Sequence, residues 1–274
     1  MGKQANYITK IEIGALWNGG KRIAWNLKPD VNILSGVNGI GKSTILNMVV
    51  RSIEANSDRA LSRKAVPGVT LGVSPEDATF IKFDFIRSFD RQLVQQEVAE
   101  KIAEKDVRSE LDFQIYTLQR RYLDYQVKIG NRIIKMLTTG GEADKQKATE
   151  ISRPRTLFND IIDELFLETD KTIIRDSNEI CFRQNGERLS PYKLSSGEKQ
   201  ILIILLTALV EDNERYVLFM DEPEISLHIE WQQRLIELIR QLNPNAQIIL
   251  TTHSPAMIMN GWVDAVTEVS DIAQ

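Results

Sequence analysis

The sequence predicts an α/β fold in which short apolar strands build a core sheet, an antiparallel hairpin precedes it and a helical insertion interrupts it. Residues 7–27 contain two alternating stretches joined by Asn18-Gly19-Gly20, a pattern typical of a β hairpin. From about residue 90 to 137 there is no proline and only one glycine, Gly130, and the apolar period becomes helical. Short apolar strands recur beside helical segments at 31–34, 216–220 and 247–251.

The N-terminal third alternates strands with one helix. Val31 to Leu34 is a short apolar strand, and a helix with an apolar face is expected over 44–53. Residues 55–77 are polar and punctuated by glycine and proline, which predicts a surface loop. Residues 79–86 alternate again and predict a strand.

The helical insertion is expected over 90–168. Its apolar residues are spaced 4, 3, 4, 3 and 4 positions apart, a coiled-coil-like seam formed by Leu111, Ile115, Leu118, Tyr122, Tyr125 and Ile129. Residues 138–147 contain a Gly-Gly pair and many charges, which predicts a mobile tip. We expect the returning helix to begin after Pro154, because proline favours a helix start.

The remainder returns to α/β character. Strands are expected at 171–175 and 180–183 with a turn at Asn185-Gly186, then a helix after residue 200, a helix over 229–242 and a last strand over 265–269.

Composition excludes several classes of protein. The 274 residues suffice for one large α/β domain with an insertion, and the net charge of −4 argues against a globally basic nucleic-acid binder. The single cysteine, Cys181, excludes a disulfide within the chain and a Cys-x-x-Cys zinc site. No apolar run reaches the ~18 residues that span a bilayer, so we expect a cytoplasmic protein without a membrane partner.

Residues 36–43 read GVNGIGKS and fit G-x-x-x-x-G-K-[ST], the phosphate-binding loop. Glycines let backbone N–H groups turn toward phosphate oxygens, and the following helix adds its N-terminal dipole. Lys42 is expected to reach the β- and γ-phosphates, and Ser43 to ligate Mg²⁺. The predicted nucleotide-binding residues here are Gly36, Asn38, Gly39, Gly41, Lys42, Ser43 and Thr44.

Two later strands also end in chemically active residues. Asp221 and Glu222 follow the apolar stretch YVLFM, so Asp221 is expected to hold Mg²⁺ through water and Glu222 to polarise an attacking water. His253 follows QIILTT at the end of another strand.

The segment LSSGEKQ at 194–200 completes the pattern. By itself it can be a helix cap, with Ser195 or Ser196 paired to Glu198. Together with the phosphate loop, the Asp-Glu pair and the late His, it resembles the ATP-binding-cassette (ABC) class of ATPase. The resemblance implies an ABC-ATPase head spanning 1–274 as one domain, with a P-loop core sheet and an N-terminal antiparallel β subdomain.

The resemblance also implies the roles of residues. In that class the Ser and Gly of the LSSGE element bind the γ-phosphate of ATP held by a second subunit, which here are Ser195 and Gly197. A His in the position of His253 contacts the γ-phosphate. The resemblance therefore implies that ATP and Mg²⁺ are the ligands and that the reaction is hydrolysis of ATP to ADP and phosphate. It also implies a homodimer in which each ATP site is built from both subunits.

One motif indicates the branch of the class. Transporter ATPases usually continue Asp-Glu-Pro with Thr-Ser-Ala-Leu-Asp, whereas residues 221–228 read DEPEISLH. This is similar to SMC- and RecF-related ATPases, and especially to the overcoming-lysogenization-defect group and to Septu-type and retron-associated defence ATPases of the AAA_21 type. His228 in place of Asp leaves one contact between subunits undefined. We find no nuclease motif, so the resemblance implies a separate effector: a nuclease, toxin or reverse-transcriptase complex.

Alternatives remain open at this point. A RecF- or SMC-like DNA-maintenance ATPase and a scaffold that binds ATP without turnover each fit the same motifs. A transporter ATPase subunit is a third alternative, and the DEPEISLH segment and the unusual insertion weigh against it. Residues 91–155 carry 13 basic and 10 acidic residues, so this basic insertion is either a solvated helix face or a docking surface for nucleic acid or an acidic partner. Trp17 is a candidate for stacking on adenine but equally a core residue. Gln92, Gln95 and Gln96 are candidates for the glutamine loop, and none has a diagnostic spacing.

Overall fold

The computed structural model describes residues 2–16, 20–55, 68–87, 107–139 and 142–274. The chain divides into two units. The first comprises Met1–Ser88, Asn213–Ile236 and Pro244–Gln274, and the second comprises Phe89–Asp212 and Glu237–Asn243. The predicted single domain over 1–274 with an insertion at 90–168 stays a prediction.

The strands in chain order are β1 (Tyr7–Leu16), β2 (Lys21–Asn26), β3 (Val31–Ser35), β4 (Val69–Ser74), β5 (Phe83–Arg87), β6 (Lys171–Ile173), β7 (Phe182–Gln184), β8 (Glu187–Leu189), β9 (Tyr216–Asp221), β10 (Ala246–Thr252) and β11 (Val266–Glu268). The helices are α1 (Lys42–Glu54), α2 (Glu110–Thr139), α3 (Glu142–Leu165), α4 (Ser196–Val210), α5 (Ile229–Leu242), α6 (Pro255–Met259) and α7 (Val269–Ile272).

An antiparallel sheet in the order β2-β1-β4 opens the first unit. The predicted hairpin of β1 and β2 is confirmed. The predicted surface loop at 55–77 is wrong for 69–74, which form β4 against β1. Gly72 misled the prediction, but it serves a close approach of strands, since a Cβ there would lie 2.8 Å from Oγ1 of Thr9.

A parallel sheet in the order β11-β3-β10-β9-β5 forms the centre of the first unit. Every residue of β9 and β10 is buried, as expected for parallel strands covered on both faces. Helix α1 contacts strands of both sheets and buries its apolar face there. The predicted strand at 79–86 is shorter and lies slightly later, as β5. The α/β fold class is therefore confirmed.

Helices dominate the second unit, where α2 packs against α3 and α4. The seam prediction is confirmed, because all six seam residues are buried. The predicted helix start is wrong, because Pro154 lies inside α3. Helix α2 runs to Thr139 and α3 begins at Glu142, so most of the predicted tip at 138–147 is helical, while Gly140 and Gly141 lie outside the described residues. The apolar face that follows the proline, Phe158, Ile161, Ile162 and Leu165, is buried and stabilises the helix despite the lost N–H.

A small antiparallel sheet in the order β6-β7-β8 completes the second unit. The predicted strands at 171–175 and 180–183 are present in shortened form, and β8 was not predicted. Asn185 and Gly186 join β7 to β8 with positive φ values of 50° and 83°, which is what a two-residue hairpin turn requires. None of the helices within the described ranges is long and apolar enough to cross a membrane.

Candidate functional site

Three loops of the first unit follow strands that lie side by side. The glycine-rich loop follows β3, Glu222 follows β9, and His253 follows β10. The register pairs Thr251 with both Leu34 and Asp221, so the three strands end at the same edge of the sheet. The apolar strands therefore hold polar side chains from distant parts of the sequence in one place.

The glycine-rich loop leads directly into α1. Gly39 and Gly41 have φ values of 83° and 99°, a region that other residues adopt only with strain. Gly41 is the N-cap residue of α1 and provides no side-chain cap hydrogen bond to the first turn. The N–H groups of the first turn and the helix dipole favour an anion at this position.

Lys42 is buried at the start of α1 and points back to the loop. Its Nζ donates to the carbonyl oxygen of Gly36 at 2.9 Å and to that of Val37 at 3.4 Å. Only 4% of its side chain is exposed. Asn38, Gly39 and Thr44 are exposed, and Ser43 is half-buried.

Asp221 ends β9 and is buried. One of its oxygens, Oδ1, accepts a hydrogen bond from the hydroxyl of Thr251 at 2.6 Å. Within the part of the chain that the structure describes, no cluster of three or more His, Cys, Asp or Glu could hold a metal by itself. A Ser hydroxyl and one carboxylate fit Mg²⁺, which prefers oxygen donors and usually takes the rest from water and phosphate.

Glu222 occupies a backbone conformation that is unusual for a residue with a side chain. Its φ is 48°, and its N–H donates to the carbonyl oxygen and the hydroxyl of Thr251, at 3.1 and 3.0 Å. Its Oε1 lies 3.8 Å from Nζ of Lys42 and 3.6 Å from Nδ1 of His253. The structure thus brings together Lys42, Glu222 and His253, which the sequence analysis selected from three separate motifs.

Glu224 also contacts this cluster, although the sequence analysis gave it no role. Its Oε1 accepts hydrogen bonds from the hydroxyl of Thr252 at 2.6 Å and from the backbone N–H of His253 at 3.0 Å. The same oxygen lies 3.4 Å from Nδ1 of His253. The signal in the sequence is the second carboxylate of DEPE, with the paired threonines of TTHS.

Ser195 and Gly197 belong to the second unit, at the start of α4. Ser195 is the N-cap, and its Oγ accepts from the N–H of Glu198 at 3.3 Å, while Oε2 of Glu198 accepts from the N–H of Ser195 at 2.9 Å. The helix-cap interpretation is therefore confirmed. It is compatible with a phosphate contact, since the Ser195 hydroxyl accepts the cap bond and keeps its own proton for a second partner.

Glu198 is buried and ionic. Burial by itself would raise the pKa of its carboxyl, but hydrogen bonds from Lys171, the Ser195 backbone and Thr169 together hold that pKa below its ordinary value. The distances from Oε1 are 2.7 Å to Nζ of Lys171 and 2.9 Å to Oγ1 of Thr169. This network fixes the first turn of α4.

The basic side chains of α2 are largely engaged within the second unit. Arg132 and Lys128 lie 2.6 and 3.4 Å from Asp212. Arg121 pairs with Glu211, and Arg120 lies over the ring of Tyr116. Trp17, Gln92, Gln95 and Gln96 lie outside the described residues.

The fold and these loops define a class: a P-loop α/β protein with a phosphate-binding loop, a strand-end Asp-Glu pair and a strand-end His on one sheet edge. Residues 120–259 match the AAA_21 family, described as "AAA domain, putative AbiEii toxin, Type IV TA system". The match spans just over half of the chain, and the chain belongs to this family.

Curated relatives include two retron proteins and one Septu protein. The chain is 26% identical over 149 residues to the Retron Vc95 probable ATPase of Vibrio cholerae, a match covering 49% of this chain and 29% of that protein. It is 37% identical over 92 residues to Septu protein PtuA of Bacillus thuringiensis, a match covering 29% of this chain and 23% of that protein. It is 35% identical over 83 residues to the Retron Ec83 probable ATPase of Escherichia coli, a match covering 26% of this chain and 15% of that protein. The chain thus spans less than a third of the length of each relative.

Solved structures that are similar include SMC heads. The SmcHead bound to the C-winged helix domain of ScpA has a TM-score of 0.48 and 16% identity, with coverage of 93% of this chain and 91% of that chain. The Pyrococcus furiosus Smc head domain with an extended coiled coil has a TM-score of 0.47 and 12% identity, with the same coverage.

Proposed function

We propose that this chain binds and hydrolyses ATP, dimerises around ATP and Mg²⁺, and controls a separate effector protein in a prokaryotic anti-phage defence system. The observation that carries the proposal is the convergence of three side chains at one sheet edge. Lys42 and His253 each lie within 4 Å of the Glu222 carboxylate. A lysine, a carboxylate and an imidazole beside the N-terminus of α1 can together bind and hydrolyse the γ-phosphate of a nucleotide.

Binding of ATP follows from the loop and α1. The first-turn N–H groups and the Lys42 ammonium supply donors for the phosphate oxygens. Asn38, Gly39 and Thr44 are exposed on the same loop and helix turn, where a nucleotide can reach them. Mg²⁺ bound by Ser43 and Asp221 would neutralise part of the phosphate charge.

Hydrolysis needs a group that orients water, and Glu222 is our candidate. Its carboxylate is only 16% exposed and lies between Lys42 and His253. The bonds from its N–H to Thr251 hold the positive φ, so the backbone aims this side chain. His253 is proposed to contact the γ-phosphate through Nε2, the ring nitrogen opposite Nδ1.

Dimerisation rests on Ser195 and Gly197. In the resembling class this element reaches ATP held by the second subunit, and here it begins a helix of 15 residues. The Ser195 hydroxyl can donate to a phosphate while it caps α4. Each subunit would thus complete the site of its partner.

The defence role is supported by the names of relatives that are retron ATPases and a Septu protein. Control of a separate effector protein is part of the proposal, and the purification described next tests it. A cytoplasmic location is also part of the proposal.

The test is an affinity purification of Glu222→Gln from its native host with ATP and Mg²⁺, followed by mass spectrometry. Slowed hydrolysis should trap the complex, so we expect a nuclease, toxin or reverse transcriptase in the eluate. Lys42→Ala, which should bind ATP much more weakly, is the matched control and should recover less of that partner. Recovery of DNA with repair factors, or of a membrane permease, would contradict the defence role.

A further inference from the structure

We infer that Glu224 is a positioning residue that fixes His253, so that Glu222 stays free to act on water. This inference rests on the proposed ATP hydrolysis for its functional meaning. It assigns a role to Glu224, a third carboxylate beyond the pair Asp221 and Glu222. The evidence is the placement of Glu224 and His253 in the turn after β9 and the loop after β10.

Glu224 is the more buried of the two carboxylates that face the imidazole. Its side chain is 4% exposed, against 16% for Glu222. Its Oε2 is buried without a hydrogen-bond partner among the described residues. Burial of a carboxylate is costly unless it is paired, so a group with this placement is expected to have a cationic or N–H partner.

Glu224 meets His253 at two points. Oε1 of Glu224 accepts the backbone N–H of His253 at 3.0 Å and lies 3.4 Å from Nδ1 of the same residue. One oxygen therefore accepts from the main chain of His253 and lies beside its ring nitrogen. Such contacts often shorten when a substrate completes a site.

The rest of the loop is tied down around this contact. Thr252 donates to Oε1 of Glu224 at 2.6 Å. Ser254 donates from Oγ to Oε1 of Gln232 at 2.7 Å, and Gln232 donates from Nε2 to the carbonyl oxygen of Leu227 at 2.9 Å. The residues on both sides of His253 are thus anchored to the segment that carries Glu224.

Two carboxylates compete for the same ring nitrogen. Nδ1 lies 3.4 Å from Glu224 and 3.6 Å from Glu222. A carboxylate that accepts from Nδ1–H is less available to accept a proton from water. If Glu224 takes Nδ1–H, Glu222 keeps its lone pairs for water, and Nε2 becomes the ring nitrogen that is left to face the nucleotide.

The first measurement reads the tautomer of His253 directly. The chain has two histidines, so a ¹⁵N-histidine NMR spectrum at an alkaline pH, where imidazole is neutral, has two ring systems. His228→Gln assigns them. We expect the Nδ1–H tautomer for His253, a shift toward Nε2–H in Glu224→Gln, and no shift in Glu222→Gln. An Nε2–H tautomer in the parent protein, or a shift only in Glu222→Gln, would overturn the inference.

The second measurement is a double-mutant cycle on steady-state ATP hydrolysis. Because Glu224 acts through His253, Glu224→Gln should lower kcat by about 10- to 100-fold with KM unchanged. When Glu224→Gln is combined with His253→Ala, kcat should fall by no more than about twofold below that of His253→Ala alone. Full additivity would contradict a positioning role, and the exposed Glu230→Gln controls for loss of an acidic charge.

The two measurements separate the inference from the proposed function. A parent protein that hydrolyses no ATP refutes the proposed activity, while the tautomer still tests the contact of Glu224 with His253. Turnover combined with the Nε2–H tautomer refutes the inference alone. The tautomer of the parent protein needs no Glu224 variant, so poor folding of Glu224→Gln cannot leave the question open.

Discussion

The Nζ atom of Lys42 lies 3.8 Å from Oε1 of Glu222, so the phosphate-loop lysine and the candidate water-orienting carboxylate form an ion pair. Lys42 also donates to two loop carbonyls. A phosphate that binds Lys42 would compete with Glu222 for the same ammonium. Binding of the nucleotide is therefore expected to release the carboxylate that its hydrolysis requires.

Replacing Lys42 by Ala should weaken ATP binding. The loss of a charged donor from a phosphate costs about 1.5–3 kcal/mol, which corresponds to roughly 10- to 100-fold in Kd. Isothermal titration with ATP and Mg²⁺ measures this change. Lys10→Ala is the control, since Lys10 pairs with Glu12 in a partly exposed position on β1 and should keep the parental affinity. Normal affinity in Lys42→Ala would contradict the loop assignment.

Glu222→Gln should keep ATP binding and lose turnover. The amide preserves the shape of the side chain but cannot accept a proton from water, and loss of a general base lowers kcat by about 10²- to 10⁴-fold. Phosphate release measures turnover, and light scattering with ATP and Mg²⁺ should show a stable dimer. Glu214→Gln, which removes a carboxylate paired with Lys82, should behave like the parent. Parental turnover in Glu222→Gln would mean that another group is the base.

Ser195→Asp separates the two roles of the α4 N-cap. Aspartate is a good N-cap, so the free energy of unfolding should stay near the parental value, whereas Ser195→Ala should lose about 1 kcal/mol. The new carboxylate would repel a γ-phosphate, and ATP-dependent dimerisation should disappear in Ser195→Asp. Urea denaturation and light scattering give the two readouts. A parental dimer in Ser195→Asp would limit Ser195 to its cap.

The sequence predicted those parts of the fold that depend on local patterns. Apolar stretches marked β3, β9 and β10, and the seam of α2 followed from its spacing alone. The prediction failed where tertiary contacts override local signals. Gly72 suggested a loop but lets β4 approach β1, and Pro154 suggested a helix start but lies inside α3.

The candidate site was predictable to a similar degree. Sequence motifs selected Lys42 and Glu222, and the resemblance to ABC-type ATPases selected His253. The structure brings the three together because strand ends of a parallel sheet meet at one edge. Glu224 could not be assigned from the sequence, since its contact with His253 depends on the path of two loops 29 residues apart. The positive φ of Glu222 likewise depends on its bonds to Thr251.

Nucleic-acid binding through α2 should be weak. Asp212 lies beside Lys128 and Arg132, and Glu211 lies beside Arg121. Cations that are already paired neutralise few phosphates, so few counterions should leave the DNA on binding. We expect a log–log salt dependence of duplex DNA affinity with a slope shallower than about −2. Asp212→Asn, which frees two cations, should steepen it. A steep slope in the parent protein would restore α2 as a docking surface.

Stability should depend on pH through Glu198. Because Lys171, Thr169 and the Ser195 N–H hold the folded-state pKa of Glu198 below its ordinary value of 4.5, its stabilisation is present above pH 4.5 and is lost as the pH falls through the folded-state pKa. Glu198→Gln should therefore lower the free energy of unfolding by roughly 3 kcal/mol at neutral pH, with a difference from the parent that shrinks below pH 4.5. Urea denaturation at several pH values measures this, with the exposed Glu187→Gln as the control. A difference that stays constant down to acid pH would mean that the Glu198 side chain stabilises α4 by its shape and not by its charge.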